Sequence, residues 1–454
     1  MLNKKKLFVT SALALTFAAS SALAAVGADQ AARLSKDLTP LGAEKAGAGV
    51  IPAWTGPLAV PAGFKAGQKY VDPFPAEKAK FVITAENVEQ YKANLTDGQL
   101  AMFKKYPKTY RIPVFETHRT AGYPDEINKA TAENAAKTKL VSGGNGMANY
   151  EQGIPFPIPA DGLEVVWNHI VRYRGGSVSR VVGQVTPTPD GAYSLVKFQD
   201  EFTFKNKLAD YNPATMKDNN ILFYFKQDVI SPARLAGNVL LVHETLDQVK
   251  EPRKAWIYNA GQRRVRRAPQ VAYDGPGTAS DGMRTSDNFD MYNGSPDRYN
   301  WKLIGKKEIY VPYNSYRLKN DKLKYDDIVK AGHINQDYTR YELHRVWQIE
   351  GTLKDGQRHI YAKRTMYIDE DSWQAVEIDH YDGRGQLWRV AEAHSMFFYD
   401  VKVPWYALET LYDLQSGRYL ALGLDNEEPV SYNFGFERRE ADYTPNALRR
   451  DGVR

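Results

Sequence analysis

Apolar positions change their period once along the chain, near residue 176. Before that point, DGLEVVWNHIVRYRGG sets Leu163, Val166, Trp167, Ile170 and Val171 at i, i+3, i+4, i+7 and i+8, a stripe on one helix face. Asp161 stands at the N-cap with Glu164 three residues on, and Gly175 is expected to close the helix. Beyond it the period is two. Residues 343–399 alternate through ELHRVWQIEGTL, RHIYAKRTMYI, WQAVEIDHY and QLWRVAEAHSMFFY, broken by KDGQ, DEDS and DGRG. Each break carries Asp or Gly where a hairpin needs positive φ or a side-chain cap. In this register Ile360, Ala362, Met366 and Ile368 share one face. Similar runs occur at 178–186, 192–205, 221–230, 238–246, 254–260 and 306–311. About ten hairpin-linked strands and one strong amphipathic helix predict a mainly β fold with α. The expected form is a large curled antiparallel sheet, a half-barrel, with helices on its concave face.

Upstream the pattern weakens. Residues 25–75 are rich in Ala, Gly and Pro without sustained periodicity, which predicts an irregular arm over the folded body. Thr84 to Leu95 and Thr96 to Tyr106 read as two short helices, the second with the capping-box pair Thr96 and Gln99. Residues 140–160, Gly-rich and then Pro-rich, read as a linker. The first residues differ again: Lys4, Lys5 and Lys6, an apolar run from Leu7 to Ala19, then Ala22-Leu23-Ala24. That order is a secretory leader cleaved after Ala24, and it places the mature chain in the periplasm. The expected organisation is a leader over 1–24, an arm with short helices over 25–160, and the half-barrel over 161–454.

Composition narrows the function classes. Loss of the three leader lysines lowers the formal charge from +6 to +3, nearly neutral for 454 residues, which argues against a nucleic-acid binder. The chain has no cysteine, so a thiol nucleophile, a thiolate metal site and a lipidated N-terminus are excluded. Its 29 tyrosines favour pleated, half-buried surfaces. No segment after the leader is apolar enough to span a bilayer as a helix. Adjacent charges such as Lys363 and Arg364, on opposite strand faces, speak against a membrane barrel.

No catalytic motif is present: neither G-x-S-x-G, nor H-E-x-x-H, nor a phosphate loop. His344 and His359 could face one another across a hairpin near Glu342 and Glu350, but no converging set of metal ligands is visible, and no metal or other cofactor is expected. Residues 280–308 hold Asp281, Asp287, Asp290 and Asp297 among Arg284 and Arg298, without calcium-loop spacing. This reads as a structural loop of aspartate–arginine pairs. In AWIYNAGQRRVRRAP a hairpin is expected, with Arg264 and Arg266 on one face and Arg263, Val265 and Arg267 on the other. Arg264 and Arg267 are then expected, with Asp281, Arg284, Asp287 and Asp290, to organise the rim of a cavity. A curled sheet too wide for its own side chains leaves an apolar space. Candidates for its lining are Trp167, Ile170, Trp256, Tyr258, Tyr292, Trp301, Trp347, Met366 and Trp388.

Whole segments add to this. SPARLAGNVLLVHETL, then AWIYNAGQRRVRRAP, then DGMRTSDNFDMYNG, resemble a run in proteins labelled outer-membrane lipoprotein-sorting proteins, relatives of the LolA and LolB carriers. LGAEKAGAGVIPAWTG, WNHIVRYRGG, DRYNWKLIGKKEIYVPYNSY and YTRYELHRVW resemble a large proteobacterial family of unknown function that often carries that label. The resemblance implies a half-barrel with helices plugging its concave face around an acyl chain or similar ligand. It also implies a transport role, since the family is associated with resistance-nodulation-division exporters. Partners would be a lipophilic ligand, an inner-membrane exporter and an outer-membrane protein. The long arm and extra strands have no counterpart in the short carriers, so the implied cargo is lipophilic rather than a lipoprotein. Two other classes stay open: a hydrolase or isomerase using Asp and His residues near 281–298 and 344–394, and a scaffold that binds only proteins.

Overall fold

A computed structural model describes residues 26–268, 271, 273–429 and 431–451. The expected leader, 1–24, lies outside the described residues. Two short strands, β1 (Phe81–Ile83) and β2 (Ile112–Val114), precede a small hairpin, β3 (Lys139–Val141) and β4 (Gly146–Ala148). A first meander follows: β5 (Ser177–Val185), β6 (Val196–Phe204), β7 (Ile221–Ser231), β8 (Val239–Thr245), β9 (Lys254–Asn259) and β10 (Arg264–Arg267). A second comprises β11 (Tyr299–Pro312), β12 (Tyr341–Leu353), β13 (Lys363–Asp369), β14 (Ala375–Tyr381), β15 (Leu387–Phe398), β16 (Val403–Asp413) and β17 (Tyr419–Leu424). The last strand, β18 (Tyr432–Phe434), pairs with β5.

All but β3 and β4 belong to one sheet of sixteen strands. Antiparallel pairing of β17 with β5 joins the two meanders into one surface, and β10 and β11 do not pair, so the sheet stays open. β2 meets β12 through a parallel bridge between Val114 and Tyr341. Its middle strands are buried on both faces. In β17, Leu420 and Leu422 join the larger core cluster while Tyr419 and Ala421 join a second one across the sheet. The larger cluster holds the helix Gly162–Val171, and the second holds the helix Asp97–Lys105.

The capping signals act as expected. Asp161 accepts from the Glu164 N–H at 2.9 Å, and Thr96 and Gln99 form a reciprocal box at 3.0 and 3.1 Å. The Gly162–Val171 helix nevertheless ends before Gly175, because Arg172 is already extended. Residues 84–95 form two 3₁₀ turns, Val88–Gln90 and Lys92–Asn94, rather than one helix. The helix Asp125–Lys137 carries only Ile127, Thr131, Asn134 and Ala135 inward, too weak a stripe to be read from sequence. The strand expected from residue 358 starts only at Lys363, so Ile360 is exposed and shares no strand face with Met366.

Candidate functional site

Alternation in the first meander builds the floor of a cavity. One face of β5 to β8 presents Val178 and Arg180, Asp200 and Phe202, Phe223, Phe225 and Gln227, and Leu240 and Val242. Trp405 from β16 closes one side, and residues of the 271–293 segment, among them Thr278, Arg284, Ser286 and Phe289, form the opposite wall. The enclosed free space is about 60 Å³, rising to about 770 Å³ only when all space between atoms and the open solvent at the mouth are counted. The Phe202 and Phe223 rings meet at a 49° tilt with centroids 4.6 Å apart, and the Arg174 guanidinium lies 4.6 Å from the Phe202 ring.

The aspartate-rich segment is held inside the fold by arginines brought from elsewhere. The helix Gly162–Val171 delivers two of them at its C-terminal end. Arg172 donates to the His169 carbonyl at 2.8 Å and Arg174 to the Ile170 carbonyl at 3.0 Å, which satisfies carbonyls that the helix leaves open. Both guanidiniums then meet Asp290: Arg172 Nη2 at 2.6 Å, and Arg174 Nη1 on the second oxygen. Trp405 Nε1 donates to the same carboxylate at 3.1 Å. Asp290 and Met291 both have positive φ, 55° and 64°, a strained turn that brings the carboxylate under the helix end. Burial alone would raise the Asp290 carboxyl, but the two arginines outweigh it and hold it well below the usual range. Burial keeps His169 neutral, its pKa lowered to about 3; its Nε2 donates to the Asp290 carbonyl and its Nδ1 accepts from the Ala375 N–H.

Asp287 repeats the pattern with β13. Arg364 Nη2 reaches it at 2.6 Å, His359 Nε2 at 3.0 Å and Thr285 Oγ1 at 2.6 Å. Burial opposes ionisation here too, and the Arg364 charge overrides it. His359 Nδ1 is occupied by the Tyr361 N–H, so neither nitrogen is open to a substrate. Asp281 lies exposed and binds Arg418 and Thr186 at 3.2 and 2.9 Å.

Four guanidiniums line the cavity. Arg174 pairs with Asp290, Arg180 with Asp200 at 3.1 Å, and Arg253 with Glu244 at 2.6 Å. Arg284 has no ion pair among the described residues. It is 3% exposed, its Nη2 is 3.4 Å from Gln184 Oε1, and its Nε has no partner. Burial lowers its pKa.

The expected lining residues lie elsewhere. Trp167, Ile170, Tyr292 and Met366 are buried in the larger core cluster, with Trp301 and Trp347 packed against it. Trp167 is fixed through a 2.8 Å bond to the Gly144 carbonyl. Trp256 and Tyr258 belong to a cluster with Tyr224, Leu241 and Tyr443, on the face of β7 and β8 away from the cavity. Trp388 donates to Asp413 at 3.0 Å under the Arg389 guanidinium. The hairpin Lys254–Arg267 forms, but its arginines do not organise a rim. Arg264 and Arg267 are exposed with no carboxylate pair among the described residues, and Arg267 stacks on Trp256 at 5.5 Å. The aspartates that were to meet them are engaged by Arg172, Arg174, Arg364 and Arg418 instead. His344 and His359 are not cross-strand partners either: His344 pairs in register with Ile309.

The residues that do line the cavity carried a readable signal. Asp200 and Phe202 alternate in VKFQDEFTF, and Phe223, Phe225 and Gln227 alternate in the next strand.

One further cluster brings His344, Asp369 and Asp371 together, with a ligand atom from each within 4.8 Å of the others. Both oxygens of Asp371 already face Arg119, at 2.7 and 2.8 Å, and Asp369 Oδ2 accepts from Ser372 and Tyr313. These bonds account for the packing of the N-terminal arm on the sheet, since Arg119 also holds the Glu44 carbonyl at 2.7 Å. Among the described residues, no helix is long and apolar enough to cross a membrane.

Comparison with known proteins places the chain. The uncharacterized protein PA3922 of Pseudomonas aeruginosa is 65% identical over 457 residues, covering 100% of both chains. A putative outer-membrane lipoprotein-sorting protein domain from Vibrio parahaemolyticus superposes with a TM-score of 0.41 at 14% identity, over 61% of this chain and 92% of its own. A LolA superfamily protein from Nitrosomonas europaea superposes at 0.39 and 13% identity, over 64% of this chain and 100% of its own. Residues 82–449 match the model of the family described as a protein of unknown function, DUF1329, and the chain belongs to that family.

Proposed function

We propose that the protein is a non-enzymatic carrier or adaptor for a lipid-like molecule, which it holds in the cavity over β5 to β8. The observation that carries this reading is the wall itself: Phe202, Phe223, Phe225, Leu240, Val242 and Val178 converge on one void beside a single strand face. Burying hydrocarbon there contributes ~0.8 kcal/mol per methylene, so firm retention of a ligand needs no polar motif. The leader-like first residues support a periplasmic setting. The sequence resemblance supports delivery of the ligand to or from an envelope transporter.

A neutral fluorescent lipophile, N-phenyl-1-naphthylamine, tests the reading. The purified mature chain should bind it saturably with a blue-shifted emission. Val242→Trp, which narrows the space, should weaken binding by about tenfold or more, since two or three methylenes lose burial at ~0.8 kcal/mol each. Unsaturable binding, or equal binding to a Val242→Trp protein with an unchanged circular dichroism spectrum, would place the ligand elsewhere or nowhere.

A further inference from the structure

We propose that the ligand is an anionic amphiphile. Its carboxylate or phosphate head pairs with Arg284, while its hydrocarbon lies along Phe202, Phe223, Phe225, Leu240 and Val242. This rests on the carrier reading and adds the chemistry of the head group.

The cavity's charges are matched with one exception. Arg174, Arg180 and Arg253 each have a carboxylate within the protein: Asp290, Asp200 and Glu244. Arg284 does not. Its flat face rests on Phe289 at 5.2 Å, its Nε has no hydrogen-bond partner, and its contact with Gln184 is long at 3.4 Å. A buried guanidinium without a counter-charge is costly, and proteins keep such groups paired. Two acids act on it from beyond ion-pair distance. Asp200 is held by Arg180 and by Gln227 at 3.0 Å. Glu409, the acid with the largest pull on Arg284, stands beyond ion-pair distance; it accepts from the Met291 N–H at 3.2 Å, and burial raises its carboxyl to about 7.

Geometry leaves room for the missing partner. Gly277 lines the cavity beside Arg284, and a Cβ there would stand 3.2 Å from the Arg284 Nε. A side chain at 277 would crowd the guanidinium, and the bare backbone spares it that contact. Planar guanidinium donors match the oxygens of a carboxylate or a phosphate, and the apolar floor begins within the same void.

The test compares three ligands of equal chain length: palmitate, hexadecyl phosphate and hexadecanol. Each displaces N-phenyl-1-naphthylamine from the purified mature chain. At least one acid should bind about tenfold or more tightly than the alcohol, the ratio expected of one charge-assisted pair. Whichever acid binds more tightly identifies the head as carboxylate or phosphate. Arg284→Gln should bring the acids to the level of the alcohol and leave hexadecanol unweakened, and Arg284→Lys should restore part of the preference. Equal binding of all three ligands by the unaltered protein overturns the proposal, as does an acid preference that survives Arg284→Gln. If Arg284→Gln does not fold, the comparison of acid with alcohol on the unaltered chain decides alone. Failure of all three ligands to displace the probe removes the carrier reading itself, and this inference with it.

Discussion

At the residue scale, the fold depends on two aspartates that neutralise buried arginines. Asp290 is 1% exposed and serves both Arg172 and Arg174. Asp290→Asn would leave two guanidiniums without a charge partner in the core, a loss of about 3–5 kcal/mol. Urea denaturation of the variant should show that loss, and a midpoint within error of the unaltered protein would contradict the hub. Asp281, Asp287 and Asp290 do meet arginines, as the sequence suggested, but not the expected ones, and Asp297 accepts from Tyr273 instead. Arg264 and Arg267 are near in sequence, but a hairpin of alternating residues puts them in solvent. Arg172 and Arg174 come from a helix end more than a hundred residues away, and pairing at that distance has no local signature.

At the element scale, the helix Asp97–Lys105 covers three carboxyls that form no ion pair with a lysine or arginine among the described residues, Lys363 and Lys307 acting on Asp379 only from a distance. Gly98 lets the helix approach so closely that a Cβ there would lie 2.1 Å from Asp379 Oδ1. Burial raises the Glu377 carboxyl well above its usual range, and it pushes Asp379 and Glu392 to about 7. A carboxyl with a raised folded pKa binds its proton more tightly in the native chain. Its contribution is present below the unfolded value of about 4 and is lost as pH rises through the folded value. Asp287 and Asp290 have depressed values and act in the opposite sense: their contribution is present above about pH 4 and is lost in acid. Thermal stability should therefore peak in mild acid and fall between about pH 5 and pH 8. A Glu377→Gln, Glu392→Gln double variant should flatten that fall, and an unchanged slope in melting scans would contradict the assignment. The helix itself was legible because Thr96 and Gln99 are a local signal. What it covers was not: β14 to β17 are buried on both faces, so YLALGL shows no polar side, and the polar side of EIDHY, Glu377 and Asp379, is itself buried rather than exposed.

At the scale of the whole molecule, two meanders joined through β5 and β17 make one open sheet. Segments from outside both ladders close its faces. Alternation in single strands made the sheet readable, and the helix Gly162–Val171 was readable from its cap and stripe. The cavity was not, because its place depends on which strands become neighbours once β17 meets β5 and Trp405 is carried over to Arg180, 4.6 Å from its guanidinium. The central claim is that this space holds a lipophile. The direct measurement is mass spectrometry of the organic extract from the mature protein, purified without detergent from the envelope of a cell that makes it. A lipophilic acid recovered at about one per chain, and lost from the Val242→Trp protein, is the predicted result; an extract without any stoichiometric lipophile would contradict it.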